Sequence, residues 1–205
     1  MAAMTTVRRA EPGDQATMAA MYARAFDDDP VWSFIFPDAG QRPTQSAHLF
    51  SAFIKAHLRD GETLVADDIA GAAVWAPPGK WQIPMTRMIG EVPRLLKALG
   101  RRSFGLLGDL QRIERLHARF TSDPHFYLAV LGTDPPRQGK GIGSAVMTPV
   151  LARCDHAGLG AYLESSKESN VPFYRRHGFE VVGEFTFRNG PTMWPMWREA
   201  RPPVP

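Results

Sequence analysis

Leu131-Gly132-Thr133-Asp134-Pro135-Pro136-Arg137-Gln138-Gly139-Lys140-Gly141-Ile142-Gly143-Ser144 is the stretch whose reading decides the fold. The apolar run 126–131 before it reads as a strand. Residues 141–156 after it read as a helix, with Ile142, Val146, Val150 and Cys154 at four-residue steps. A strand that passes through glycines into a helix presents the helix's first, unpaired amides to whatever lies in front of them. The helix dipole adds partial positive charge there, so the turn is a cradle for phosphate. Two nucleotide motifs fail on spacing. A phosphate loop needs Ser or Thr after its lysine, and Gly141 follows Lys140. The dinucleotide fingerprint G-x-G-x-x-G needs a third glycine where Val146 stands.

Working outward, residues 5–9 read as a strand, and Glu11-Pro12-Gly13-Asp14 turns the chain into a helix reaching Phe26. Asp27-Asp28-Asp29-Pro30 stops it, because the residue before proline avoids helical dihedrals. An aromatic segment, 31–36, precedes a second helix over 43–59 and two strands at 63–66 and 72–75. Helical stretches at 84–99 and 104–119 read as an insertion on a compact sheet domain. A strand at 161–164 then leads to a short helix over 171–177, which Gly178 caps. Residues 180–187 and 192–197 read as a hairpin around Arg188-Asn189-Gly190, and 201–205 as a frayed tail. The expectation is one domain over residues 1–205, with the insertion at about 84–120.

Composition bounds the function. A chain of 205 residues that is 44% hydrophobic and 22% charged buries an ordinary core without staples. Its one cysteine, Cys154, excludes an internal disulfide and reads as a core thiol on the helix's apolar series. No apolar run approaches the ~20 residues of a membrane span, and residues 1–6 lack a signal pattern. A soluble, cytoplasmic protein with no membrane partner is expected. Eight basic against three acidic residues give segment 84–120 a charge of +5, so the remainder of the +3 chain carries −2. That stripe has no recognisable reading element, which argues against a nucleic acid partner. Six scattered histidines without ligand spacing make no case for a metal.

Gln138-Gly139-Lys140-Gly141-Ile142-Gly143, read as Q-x-x-G-x-G after a strand, resembles the pyrophosphate-binding motif of the GCN5-related N-acetyltransferases (GNAT), which use acetyl-CoA. Tyr162-Leu163-Glu164, Asn170-Val171-Pro172-Phe173-Tyr174 and Gly178-Phe179 are similar to that family's next block, in its order and at its spacing. The resemblance spans residues 5–198 apart from the inserted helices. Within the family the chain is most similar to the puromycin N-acetyltransferase-like, antibiotic-modifying branch. Residues 138–146, Pro149 and Ala66-Asp67-Asp68 before Ala73-Val74-Trp75 carry that likeness. The resemblance implies an α/β fold: a mixed, mostly antiparallel sheet splayed at the acetyl-CoA site, with helices on both faces and an inserted helix pair. It also implies acetyl transfer to the primary amine of a small molecule by direct attack, with no acetyl-enzyme.

Residue by residue, the resemblance assigns the acetyl-CoA contacts to Leu131, Gly132, Thr133, Gln138, Gly139, Lys140, Gly141, Gly143, Ser144, Asn170 and Tyr174. The strand around 131–133 supplies a backbone donor for the thioester oxygen, and Tyr174 protonates the leaving thiolate. Plainer readings stand beside these: Asn170 is a good helix cap, Tyr174 a core ring, and Lys140 a solvated charge. The base that deprotonates the amine stays open between Glu164, which ends a central strand, and His125, which opens the preceding one. The segment 26–36 corresponds to the family's acceptor-binding region. Asp28 and its neighbouring aspartates would attract a cationic amine, while Trp32, Phe36, Trp75 and Trp81 are candidate aromatic walls, in competition with a core role. The inserted helices close over this cleft or form a dimer face, so monomer and homodimer both remain. The alternatives are a protein acetyltransferase acting on lysine or an N-terminal amine, and a CoA-sensing or nucleic-acid-binding module without catalysis.

Overall fold

Eight strands form a mixed sheet in the computed structural model, which describes residues 5–60, 62–90, 92–93, 96, 103–121 and 124–201. The strands are β1 (Val7–Arg9), β2 (Thr63–Ala66), β3 (Gly71–Ala76), β4 (His125–Thr133), β5 (Gly160–Ser165), β6 (Glu180–Val181), β7 (Phe185–Thr186) and β8 (Thr192–Arg198). Their order is β1-β2-β3-β4-β5-β8-β6, with β7 also on β8. Every pair is antiparallel except β4 with β5. The helices are α1 (Gln15–Ala25), α2 (Pro30–Ile35), α3 (Arg42–Leu58), α4 (Met85–Met88), α5 (Ser103–Phe120), α6 (Ile142–Ala157) and α7 (Val171–Arg176).

Alternation along the strands divides the core in two. Phe126 and Leu128 of β4 and Ala161 and Leu163 of β5 pack with Ile142, Val146, Val150 and Cys154 of α6. On the other face, Val65, Ala72 and Val74 meet Met18 and Tyr22 of α1 and Phe50 and Ile54 of α3. Each large apolar side chain so buried contributes roughly 1.5–3 kcal/mol. Helices therefore cover both faces, as the resemblance implied.

The parallel pair decides where a ligand fits. Pairing of β4 with β5 runs His125↔Gly160, Phe126↔Ala161, Tyr127↔Tyr162 and stops there. Beyond it, β5 continues on β8 and β4 on β3, so the two strands part. A bulge assists: Val74 opposes Val130 while Trp75 opposes Leu128, which leaves Ala129 as the extra residue on β4. It also resets the alternation, so that Leu128 and Leu131 both turn to the α6 core.

Two local features differ from the sequence expectations. The aromatic segment 31–36 is the helix α2, because the Asp29 side chain accepts from Val31 N at 2.9 Å and Trp32 N at 3.2 Å while Pro30 opens the first turn. The same Asp-Pro pair that ends one helix starts the next. The expected hairpin is instead two short strands, β6 and β7, laid along one long β8. Of the expected helix 84–99, the described part is α4 with a few following residues; the rest lies outside the described residues, as does most of the 201–205 tail. No helix among the described residues is long and apolar enough to cross a membrane.

Candidate active site

The parting of β4 and β5 opens a cavity of about 680 Å³. Residues 128–133 of β4 line one side and Leu163 and Glu164 of β5 the other. The turn into α6 contributes Gln138, Gly139, Gly141, Ile142, Gly143 and Ser144, and α7 contributes Phe173 and Tyr174 behind Asn170. Because β4 has no ladder partner on its β5 side beyond Tyr127, the backbone groups of that edge face the cavity.

The glycine turn is shaped as a cradle. Gly139 and Gly141 have φ of 73° and 80°, which L side chains adopt only under strain, and a Cβ at either would meet nothing but open space. The first bond of α6 runs from Ala145 N to Gly141 O, so the amides of Ile142, Gly143 and Ser144 precede the helical ladder. Gln138 braces the turn by donating to Thr133 O at 3.2 Å. Gly132 answers to packing as well, since a Cβ there would lie 2.7 Å from the Tyr22 ring. Asn170 stands at the cap position of α7, but its side chain makes no capping bond and the residue lines the cavity.

Among the ionisable groups that line this space, Glu164, Tyr174 and Asp29 are buried. The Glu164 side chain is only 6% exposed, accepts from Tyr127 Oη at 2.8 Å, and has burial pushing its pKa up to about 7. Its Oε1 and the Tyr162 hydroxyl are both buried without a hydrogen-bond partner, although each group raises or lowers the other's proton affinity. Tyr174 is buried, which holds its hydroxyl protonated well above the usual range, and the nearby Asp29 charge adds to this. Asp29 is 1% exposed, lines the cavity, and receives a hydrogen bond from Ser166 Oγ; burial raises its pKa too.

Other candidates lie elsewhere. Lys140 does not line the cavity and its Nζ sits 3.3 Å from Pro136 O. His125 is buried beneath α5, with its Nε2 2.8 Å from His117 Nε2. Trp75 and Phe36 are core residues, and Trp32 stacks on Phe50 at 4.1 Å. Trp81 stacks on His117 at 4.1 Å instead of lining the cavity. Trp75 lies on β3, which is buried along its whole length, Trp32 and Phe36 fill the contact of α2 with Phe50 of α3, and Trp81 is taken up by the His117 ring of α5. The aspartates are engaged as well. Asp28 lines the cavity but pairs with Lys167 at 2.6 Å, Asp27 lies 3.8 Å from Arg42, and Asp29 caps α2.

A family model for the acetyltransferase (GNAT) domain matches residues 117–200. An uncharacterized N-acetyltransferase of Schizosaccharomyces pombe is 30% identical over 183 residues, covering 84% of this chain and 73% of that protein. The chain belongs to the GNAT acetyltransferases. This GNAT enzyme is also similar to a solved Corynebacterium glutamicum structure described as histone acetyltransferase HPA2 and related acetyltransferase. The TM-score is 0.71 and the identity 27%, over 98% of this chain and 99% of that one. Arylalkylamine N-acetyltransferase 2 of Aedes aegypti shares the fold, with a TM-score of 0.68 at 15% identity over 96% of this chain and 99% of that one.

The family makes acetyl-CoA the co-substrate, and the residues present fit it. The open cradle of Gly139 and Gly141 and the leading amides of α6 suit a pyrophosphate, while the gap between β4 and β5 suits an extended arm ending in a thioester. Among the described residues no group of three or more potential ligands gathers for a metal. The sequence reading missed Ser166, His117 and Tyr127; it gave Asp29 only a share in attracting the amine and Tyr162 only a place in the family's second block. Strand alternation gave a signal for Tyr162 and Tyr127: Tyr162 and Glu164 are two apart, hence on one face, and Tyr127 would join them once β4 was paired in register with β5.

Proposed function

We propose that this enzyme transfers acetyl from acetyl-CoA to the primary amine of a small molecule, by direct attack in the cavity between β4 and β5. Acetyl-CoA supplies the activated acetyl group. Residues 131–133 offer backbone donors to the thioester oxygen, where charge develops during attack. Glu164 takes the proton that an ammonium must lose before its nitrogen can attack; a carboxylate with a pKa near 7 is ionised often enough at neutral pH and basic enough to accept it. Tyr174, held protonated by burial and by Asp29, supplies a proton to the departing thiolate. The observation that carries the reading is the presence of both groups, an acid and a base with separated proton affinities, on the walls of one cavity.

The wall composition supports a small acceptor with an apolar or aromatic body. Phe26, Leu128, Leu131, Leu163 and Phe173 form the apolar part of a lining that also carries Asp28, Asp29, Lys167 and Arg176. Asp28–Lys167 and Asp29–Ser166 tie the α1–α2 turn to the segment after β5, and all four residues line the cavity. An extended peptide would have to enter between walls so joined. The arylalkylamine acceptor in the name of the Aedes structure is of the chemistry such a lining suits, and an aminonucleoside of the kind modified by the puromycin branch is another. The histone acetyltransferase named for the Corynebacterium structure supplies the competing reading, a lysine side chain. Acceptor competition followed by mass spectrometry separates them. An aromatic or aminonucleoside-like amine should exceed a lysine peptide in kcat/KM by at least ~10-fold, about 1.4 kcal/mol in the transition state. A lysine peptide matching every small amine in a broad panel would overturn the proposal.

A further inference from the structure

Glu164 is held at the edge of the cavity by a residue to which the transfer chemistry gives no part. Parallel pairing of β4 with β5 ends at Tyr127↔Tyr162, and Glu164 follows Tyr162 by two positions on the same strand. Side chains two apart on a strand share a face, so Tyr127, Tyr162 and Glu164 gather where the strands part. The Tyr127 hydroxyl donates to Glu164 Oε2 at 2.8 Å, the one hydrogen bond to this carboxylate among the described residues. Glu164 Oε1 is buried without such a partner. His117 of α5 faces Oε1 from the other side, but its Nδ1 stands 3.8 Å away, beyond hydrogen-bond distance. The Tyr162 hydroxyl, on the strand of Glu164 itself, makes no hydrogen bond among the described residues, yet lies near enough to favour the carboxylate's charge. Asp29 and Tyr174 face Glu164 across the cavity.

One donor has two effects on a carboxylate. The first is orientation. The last torsion of a Glu side chain is broad and two-fold, so an untethered carboxylate swings. Tyr127 belongs to the neighbouring strand, and its ring is fixed by packing 4.8 Å from His117, edge-on, and 6.1 Å from Tyr162. A hydroxyl so anchored fixes the direction of Oε2. The second effect is on charge. Burial opposes ionisation of Glu164, while a donor on Oε2 favours the ionised form and offsets part of that cost; the balance is a pKa of about 7. Tyr127 keeps its own proton throughout, because burial and the adjacent carboxylate raise its pKa well above the ordinary value. It is therefore a donor at every pH at which the enzyme works.

We propose that Tyr127 is the positioning residue of the base, holding the Glu164 carboxylate by Oε2 in the orientation and charge state in which it takes the acceptor's proton. The proposal rests on Glu164 being the base. The ammonium N–H bond breaks and an O–H bond forms on Glu164, while Tyr127 retains its own proton. Glu164 lines the cavity, so the proton leaves for solvent by the way the acceptor entered, once product has gone. Tyr127 does not line the cavity and acts on the amine only through Glu164.

The test changes the donor in two directions. Tyr127→Phe removes only the hydroxyl, whereas Tyr127→3-fluorotyrosine keeps it and makes it a stronger donor. The rate of acetyl transfer to a small aromatic amine is taken from single-turnover measurements at saturating amine from about pH 5 to 9, so that product release and free amine do not contribute. In Tyr127→Phe the midpoint of the rise with pH should move up by roughly one unit and the plateau fall several-fold, since the ionised form has lost its donor. In the fluorotyrosine protein the midpoint should move down, with the plateau retained. The KM for acetyl-CoA should stay within about twofold of the parent's in both. A merely structural role would lower the melting temperature and the rate without moving the midpoint in opposite directions. A folded Tyr127→Phe protein with the parent's midpoint, or a fluorotyrosine midpoint that does not move down, overturns the assignment; should Tyr127→Phe fail to fold, the fluorotyrosine midpoint decides alone. Glu164→Gln, measured alongside, separates the two readings. A parental rate there removes the base itself, whereas a slow Glu164→Gln beside unmoved midpoints removes the role of Tyr127 alone.

Discussion

Replacing Glu164 by Gln should cost the enzyme its rate and increase its stability, and the two effects share one cause. Burial raises the carboxyl from 4.5 to about 7, so the folded protein resists a charge that the unfolded chain accepts freely. Below pH 4.5 the group is neutral in both states and contributes no penalty. Between pH 4.5 and 7 only the unfolded chain ionises, so stability falls as pH rises; above 7 the loss is complete. A gap of 2.5 units at about 1.36 kcal/mol each gives roughly 3 kcal/mol as the ceiling, and water entering from the cavity lowers it to about 1–3. Gln keeps an oxygen that accepts from Tyr127 and never carries the charge. For a chain of this length each kcal/mol is worth ~2–4 °C, so the variant should melt several degrees higher at pH 8 and equally with the parent at pH 4. At pH 8 its kcat/KM should fall ~10²-fold or more, and the parent's own rate should rise with pH through about 7 to a plateau. Scanning calorimetry at both pH values and a thiol-release assay across pH read these effects. A variant that is less stable at pH 8, or that keeps the parent's rate, would refute the reasoning.

Tyr174→Phe removes only a hydroxyl and should lower turnover ~10²-fold while the acetyl-CoA Kd, measured by calorimetry, moves less than threefold. Asp29→Asn retains a side chain able to cap α2 but deletes a charge that adds to burial in raising the Tyr174 pKa, so the Tyr174 hydroxyl should lose its proton at lower pH than in the parent, read by spectrophotometric titration, with little change in melting temperature at pH 8. Gly141→Val places a branched side chain at φ 80°, in the space of the cradle; it should weaken acetyl-CoA binding at least ~10²-fold at a cost of about 1–2 kcal/mol in stability, with the circular dichroism spectrum retained.

How much of this was legible beforehand depends on the range of the interactions involved. The glycine turn and the Gln138 to Ser144 motif are local, and their residues fell on the cavity wall apart from Lys140, whose long side chain is free to turn to Pro136. Glu164 was legible from its place at the end of a strand. The aromatic walls were not, because a Trp in a doubly buried strand and a Trp facing a cleft have the same local pattern; Trp75 proved to be the first kind. Asp29 hid for a related reason. Asp-Pro after a helix reads as a stop, and nothing local says that the same carboxylate starts α2 and meets Ser166, 137 positions on. His117 was out of reach, since its neighbours on β4 and β5 are assembled only when α5 folds back over the sheet.

The central claim, acetyl transfer between an acid and a base in the gap between two parting strands, is tested most directly by a crystal structure with a thioether analogue of acetyl-CoA and a small aromatic amine. The account predicts pyrophosphate oxygens on the amides of residues 139–144, the sulfur within hydrogen-bond distance of Tyr174 Oη, and the amine nitrogen within reach of Glu164 directly or through one water. Pyrophosphate bound away from the glycine turn, or a sulfur with Tyr174 turned from it, would contradict it.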